Sequence, residues 1–432
     1  MSQKDFLRDN FKIIYAALFL IGLFFSFWYA SHQILTGDQT QMLYKGYMGF
    51  LNGTWISYGN AASAVGNVPG SLSSLVIGLP LFVFNSPWAP MSFLIALHVV
   101  SFLLLDNIVK DVFSAKIRLV FVVLYWINPW FLFENILYNP SYLFFFSALH
   151  VWSAYKLREE RSFLYSFLHV LSIGMAMQLH YSWIILGIIS TFLLYKNIVK
   201  VNWYGVVFAF VVIGASLVPY LHELMNNEAI RENPGNKDGH RYIGWGGVHV
   251  YPVFKAFIYW LRYASFIFPN KLAMSSSFDW VSSYHGVQLV FKYLFKIVFI
   301  VIGALSIWIA FKANKLFYHD VKTSAFKRLS TDIGKDEWLK MYVVGALVGV
   351  FISAVLSPII FSYWHLIIVF IAALIPLLFF AQKEEKKITK YFFIVVGYLL
   401  LINSIASIDS RKFSYKHDYI QDTNAYIKEA LK

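Results

Sequence analysis

The stretch "SHQILTGDQTQMLYKGYMGFLNG" (31–53) sets a lone acid, Asp38, just beyond the first long apolar run. Read as a helix, it puts Asp38, Gln41, Met42 and Lys45 at i, i+3, i+4 and i+7, on one face. An acid and a base would then share a cleft at a membrane surface, although a solvated amphipathic loop helix has the same spacing. A second acid, Glu134, lies in the aromatic stretch "LYWINPWFLFENILYNPSYL" (124–143). A bare carboxylate is costly there, so Glu134 needs a partner, water or a hydrogen bond to nearby backbone. "GMAMQLHYSW" (174–183) contributes Gln178, His180 and Tyr181, and "SPIIFSYWHLIIVF" (357–370) contributes Tyr363 and His365. An aromatic belt accounts for Tyr363 and Trp364; His365 is the less expected member. The stretch "MNNEAIRENPGNKDGHRYIGWGGVHVY" (225–251) adds Arg231, Lys237, His240 and Arg241, and Arg262 follows. Such basic residues suit a phosphate or a solvated loop equally.

These residues are carried by a chain of 432 residues, 59% hydrophobic and 14% charged. Soluble domains run nearer a quarter charged, so an all-α polytopic membrane protein is expected, as one membrane-embedded domain over 1–432. Approximate crossings fall at 12–30, 90–109, 117–134, 140–155, 163–180, 182–196, 204–221, 287–311, 340–357, 364–381 and 390–407, about eleven in all. The first is read as an uncleaved span, since no small-residue cleavage site follows it. The net charge of +13 fits topology-setting loops rather than nucleic acid. Segments expected inside hold 22 Lys and Arg, and those expected outside, up to the last span, hold seven although they are longer. Outer loops are expected at 31–89 and 222–286, a cytoplasmic loop at 312–340, and a tail at 408–432 that lies outside if the number of spans is odd. "VPGSLSSLVIGLPLFVF" (68–84) reads as re-entrant or interfacial. "VYPVFKAFIYWLRYASFIFPN" (250–270) reads as a surface helix with Lys255 and Arg262 at headgroup level. The chain has no cysteine and no phosphate-cradling Gly-Lys-Ser/Thr loop.

In order, these pieces resemble the GT-C superfamily of membrane glycosyltransferases. The nearest likeness is to the protein O-mannosyltransferases, the lipid A aminoarabinose transferases and the bacterial family-39/83-like enzymes. The resemblance is carried by the acid in "GDQTQMLYKGYMGFLNGTW", by "NVPGSLSSLVIGLPLF", by "NPWFLFENILYNPSYL", by "GMAMQLHYSW" and by "SPIIFSYWHLIIVFIAALIPLL". It implies a GT-C fold with outer juxtamembrane helices, in a bacterial inner membrane, with the active site facing the periplasm. It further implies transfer of a sugar from a polyprenyl-phosphate donor to a lipid, polysaccharide or protein acceptor. The first-loop acid is catalytic in the family, and that role falls on Asp38; many relatives carry a double acid where this chain has Asp38-Gln39. Glu134 occupies the region of the second-loop acid. A departing lipid phosphate needs cations, for which Lys45, Arg231, Arg241 and Arg262 are the candidates. Gln178, His180, Tyr181, Tyr363 and His365 are the expected substrate-binding residues. No particular cofactor is implied; metal dependence is open, and Asp38 and Glu134 could hold a divalent cation only if the fold brings them together. Two other classes compete: an O-antigen ligase or polymerase using polyprenyl diphosphate donors, and a lipid or glycan transporter.

Overall fold

The computed structural model describes residues 6–62, 66–231, 250–265, 274–327, 329, 332–357 and 361–432. Among them seven helical segments are long and apolar enough to cross a membrane. They are α1 (Phe11–Ser31), α4 (Trp88–Val112), α9 (Trp203–Asn226), α11 (His285–Phe326), α12 (Lys335–Val355), the segment Tyr363–Lys383, and α14 (Glu385–Ile408). Tyr363–Lys383 starts as a 3-10 turn, Tyr363–Val369, and continues as α13, Phe370–Lys383. The protein is an all-α polytopic membrane protein, as its composition requires.

The other four expected crossings are shorter or broken. Leu143–Glu159 (α6), Phe163–Met177 (α7) and Trp183–Tyr195 (α8) have 17, 15 and 13 residues. The span expected at 117–134 is interrupted: α5 (Ala115–Phe121) runs into a π turn, Val122–Trp126, and the helix then stops. Pro129 is the cause, because it lacks an N–H and drives Asn128 out of the helical region. Asn128 turns the break into a new start, its Oδ1 accepting from Trp130 N at 3.0 Å. Irregular backbone is tolerated at membrane depth where protein buries it and its polar groups are paired. Here His98, on α4, bonds Asn135 Oδ1 at 3.1 Å and Ser141 O at 2.9 Å.

The Asp38 end of the bundle is built from small elements. Helix α2, Gly37–Asn52, begins where Gln39 Oε1 accepts from Thr36 N at 2.9 Å, half of a capping box. The hairpin of β1 (Tyr58–Ala62) and β2 (Gly66–Pro69) is antiparallel. It leads into α3, Leu72–Leu81, the apolar segment expected to stay on one side; at 10 residues it is too short to span. Helices α2 and α3 touch through glycine: a Cβ on Gly46 would collide with Ile77 and lie 2.9 Å from Gly78 N. Gly46→Val is therefore expected to destabilise the protein by about 1–3 kcal/mol through overpacking. Unfolding in detergent micelles checks it, and an unchanged midpoint contradicts the close packing.

Helix α10, Val250–Tyr263, is amphipathic but docks into the bundle, with Ala256, Trp260 and Tyr263 buried and Tyr251, Phe254 and Phe257 exposed. Its Trp260 Nε1 donates to Asn314 Oδ1 of α11 at 3.1 Å. Residues beyond α14 fold back onto the Asp38 end. Ile34 N donates to Lys412 O at 2.8 Å, Ser414 N to His32 O at 3.0 Å, and Phe413 is fully buried against Tyr29 and Phe133. Helix α15, Tyr419–Ala430, then packs on α2, where Tyr426 Oη donates to Thr40 O at 3.1 Å. The tail thus lies at the same end of the bundle as Asp38.

Candidate functional site

A cavity of about 410 Å³ opens at this end. Its wall joins stretches far apart in the chain: Asp38 from α2, Asn60 from β1, Tyr138 and Asn139 from the irregular segment, His180 to Ser182 from the α7–α8 turn, and Trp364 and His365 from the 3-10 turn. At this end of the bundle, helix ends and connecting segments far apart in the chain meet around Asp38.

Asp38 borders the cavity and is exposed to it, and among the described residues its carboxylate makes no hydrogen bond or ion pair. Crowding by surrounding protein removes enough water to raise its pKa above the ordinary carboxylate value. Its backbone is fixed instead: Asn60 Nδ2 donates to Asp38 O at 2.8 Å. Asn60 Nδ2 also donates to Asn139 Oδ1 at 2.8 Å, and Asn139 Nδ2 reaches Leu179 O at 3.2 Å. One amide chain therefore ties the first loop to the α7–α8 turn.

The expected face of α2 exists, but it docks on the hairpin rather than opening on a cleft. Gln41 Oε1 accepts from Ala61 N at 3.1 Å, and Lys45 Nζ donates to Gly59 O at 2.5 Å from beneath the Tyr58 ring. Lys45 is 6% exposed and does not line the cavity. With no acid paired to it, burial lowers its pKa to about 8. Arg262 also stands off the cavity, its guanidinium 5.6 Å from both the Trp130 and Tyr259 ring centres. Arg241, with Lys237 and His240, lies outside the described residues, as does the side chain of Arg231.

Glu134 is 1% exposed and does not line the cavity. Its Oε1 pairs with Lys412 Nζ at 2.6 Å, Ser141 Oγ donates to Oε2 at 3.3 Å, and the Tyr363 hydroxyl also reaches this carboxylate. The partner that the sequence demanded is supplied by the tail, 278 residues away. Asp38 and Glu134 do not form one two-carboxylate site on the cavity wall. Among the described residues no group of three or more His, Cys, Asp or Glu could hold a metal ion.

His180, Tyr181 and His365 line the cavity; Gln178 and Tyr363 do not. Gln178 Nε2 donates to Ser216 Oγ at 2.8 Å, and its side chain fills the space where a Cβ on Gly70 (φ +87°) would sit. It props the hairpin rather than facing the cavity. Tyr363 O accepts from the Tyr263 hydroxyl. The two imidazoles meet edge to face with centres 5.3 Å apart. Ser182 N donates to His180 Nδ1 at 3.2 Å, and Ser362 N donates to His365 Nδ1 at 3.0 Å. His180 Nδ1 also lies 2.9 Å from Ser182 Oγ and His365 Nδ1 3.1 Å from the Ser362 carbonyl oxygen, so each ring is pinned through Nδ1 where it lines the cavity.

Asn60 escaped sequence reasoning. Its stretch "YGNAASAVGNVPG" carries turn signals but no charged group. Trp364 was visible in the sequence but was adequately explained as an interface aromatic.

No family model matches the chain, and no curated protein matches it. A solved structure, that of the Archaeoglobus fulgidus oligosaccharyltransferase in complex with Zn and sulfate, is similar at 12% identity and a TM-score of 0.49. The similarity covers 95% of this chain and 57% of that one, so the chain spans little more than half the length of that protein.

Proposed function

We propose that this protein is a GT-C-type membrane glycosyltransferase that moves a sugar from a polyprenyl-phosphate donor to a lipid, glycan or protein hydroxyl, with Asp38 as general base. The observation that carries this is the unpaired Asp38 carboxylate on a cavity whose other walls bring His180, Tyr181, Trp364 and His365. An acceptor hydroxyl is a weak nucleophile near neutral pH, and a positioned carboxylate removes its proton as the bond forms. The acceptor oxygen bonds to the anomeric carbon, its proton passes to Asp38, and the anomeric carbon–oxygen bond to phosphate breaks. The lipid phosphate departs with that electron pair, and one displacement inverts the anomeric centre.

Charge developing on the departing phosphate requires donors. No Lys or Arg stands on the described cavity wall, whereas the His180 and His365 imidazoles line it. Those two rings, rather than Lys45 or Arg262, are assigned to the phosphate. Glu134 takes a positioning role, holding Lys412 and with it the tail beneath α2. The site faces the exterior of the cell in this scheme, as the basic-residue asymmetry predicts. Purified, folded Asp38→Asn protein that transfers sugar from a polyprenyl-phosphate donor at the wild-type rate sinks the proposal.

A further inference from the structure

A second cavity, of about 470 Å³, lies between α7, α8 and α9 in the membrane-spanning part of the bundle. Its wall follows α8 from Trp183 to Leu194, about 16 Å along the helix axis. It opens at the side of the bundle, where Leu194, Trp203 and Phe210 on its rim are 44%, 64% and 63% exposed. The Ser and His side chains on the wall are bonded within the protein. Ser166 Oγ accepts from Asn202 N at 2.9 Å, and His169 Nε2 lies 2.9 Å from Ser190 Oγ, which donates to Leu186 O at 3.0 Å. Gly187 keeps the space open: a Cβ there would meet only the Trp183 ring, at 3.9 Å, whereas a Cβ on Gly174 of α7 would strike Ile213. Water does not settle in an apolar cavity, and this one faces lipid.

The end of the cavity away from Asp38 carries a cation. Val199 and Val201 line the cavity, and Lys200 stands between them. Among the described residues Lys200 Nζ donates to one acceptor, Glu159 O at 3.1 Å, which leaves two of its three protons. The Glu159 carboxylate pairs with Arg158 instead, and the exposed Glu160 and Arg161 cancel in charge. We propose that this cavity holds one acyl chain of an anionic phospholipid whose phosphate meets Lys200. Such a lipid satisfies both features at once, its chain against the apolar wall and its headgroup against the ammonium. The prenyl chain of a donor held at the His180–His365 cavity would enter from the Trp183 end and leave Lys200 without an anion. The inference therefore stands apart from the glycosyltransferase reading. The bound lipid is a wedge among three helices, two of which share the turn that carries His180 and Ser182 to the first cavity.

The test is lipid binding to full-length protein, delipidated in detergent and titrated with dioleoyl phosphatidylglycerol or dioleoyl phosphatidylcholine, with lipid-bound masses resolved by native mass spectrometry. Wild type should bind the first phosphatidylglycerol about fivefold more tightly than the first phosphatidylcholine, the worth of one lysine beside an anionic lipid. Lys200→Gln should lose that preference and still bind phosphatidylcholine. Gly187→Leu, which fills the cavity and favours the helix, should weaken the first site for both lipids about tenfold. Ile173→Phe, which fills the same cavity from α7, gives the same loss if Gly187→Leu does not fold. Gly397→Leu is the control: Gly397 is exposed on α14, a Cβ there meets nothing within 4 Å, and binding should match wild type. The assignment is overturned if wild type does not prefer phosphatidylglycerol, if Lys200→Gln keeps the preference, if the filled cavity binds as wild type does, or if Gly397→Leu weakens binding equally. It also fails if Gly187→Leu displaces geranylgeranyl phosphate and leaves phosphatidylglycerol bound, since the cavity then belongs to a prenyl chain.

Discussion

Asp38→Asn is expected to lower sugar transfer about 10²- to 10⁴-fold, the usual contribution of a positioned general base, without unfolding the protein. The two side chains are the same size, and the carboxylate makes no hydrogen bond or ion pair among the described residues that the amide would forfeit. The Asp38 backbone carbonyl, held by Asn60 at 2.8 Å, is untouched. The amide simply cannot take a proton. The pH dependence has a defined sign. Because crowding raises the Asp38 pKa, the acidic limb of the wild-type rate profile should lie above the ordinary aspartate value. Activity falls as pH drops through it, and the limb is absent from the residual activity of the variant. Stability runs the other way. A carboxyl whose folded pKa is raised favours folding below its unfolded pKa, and that contribution is lost as pH rises through the folded value. The neutral amide of the Asp38→Asn variant carries no such penalty, so at pH 7 the variant should unfold at the same temperature as wild type or higher. Rate profiles and thermal unfolding across pH measure both. A variant that is inactive because it is unfolded, or stable and fully active, contradicts the assignment.

Lys412→Ala should give the largest loss of stability, about 3–5 kcal/mol, because it strands a buried carboxylate. Burial decides the magnitude. Lys335 and Asp111, at the opposite end of the bundle, form a pair of similar length, 2.5 Å, with side chains 44% and 36% exposed. Breaking that pair should cost about 0.2–1 kcal/mol. Glu134 is 1% exposed, and water cannot replace Lys412. Removing both charges together, as Lys412→Met with Glu134→Leu, should recover most of the loss, since the pair would no longer leave a lone ion. Denaturant unfolding in mixed micelles tests the series. Equal effects at both ends of the bundle would mean that Glu134 is already solvated.

Helix positions were legible because apolar run length is dictated by the hydrocarbon, and α1, α4 and α14 start and stop within a few residues of the runs that announce them. The break at Asn128-Pro129 was written in the sequence too, but hydropathy averages across a proline and reports one span. The site was legible in part. Asp38, His180, Tyr181 and His365 could be named because their residue types are conspicuous at the ends of apolar runs, and the bundle brings those ends together. What each face touches could not be read. The face of α2 bearing Gln41 and Lys45 has the periodicity of a surface and is in fact a seam with the hairpin. The amide chain through Asn60 depends on two hydrogen bonds to distant oxygens, and no local pattern encodes them. Lys412 looked like one charge in a mixed tail, since nothing within 278 residues tells it that Glu134 is waiting.

That separation also fixes an order of events during synthesis. At about 5–20 residues per second, Lys412 emerges roughly 14 to 56 s after Glu134, from a separation of 278 residues. Throughout that interval the segment from Asn128 to Tyr142 has an acid without its lysine and an irregular backbone that only the finished bundle buries. It must therefore remain near water or inside the insertion machinery, while the apolar helices before and after it have no such reason to wait. Asp38 is made early, but the segment that braces its helix is made hundreds of residues later. If the protein works as proposed, its site is complete only once the segment around Lys412 has been made and has closed over the first loop.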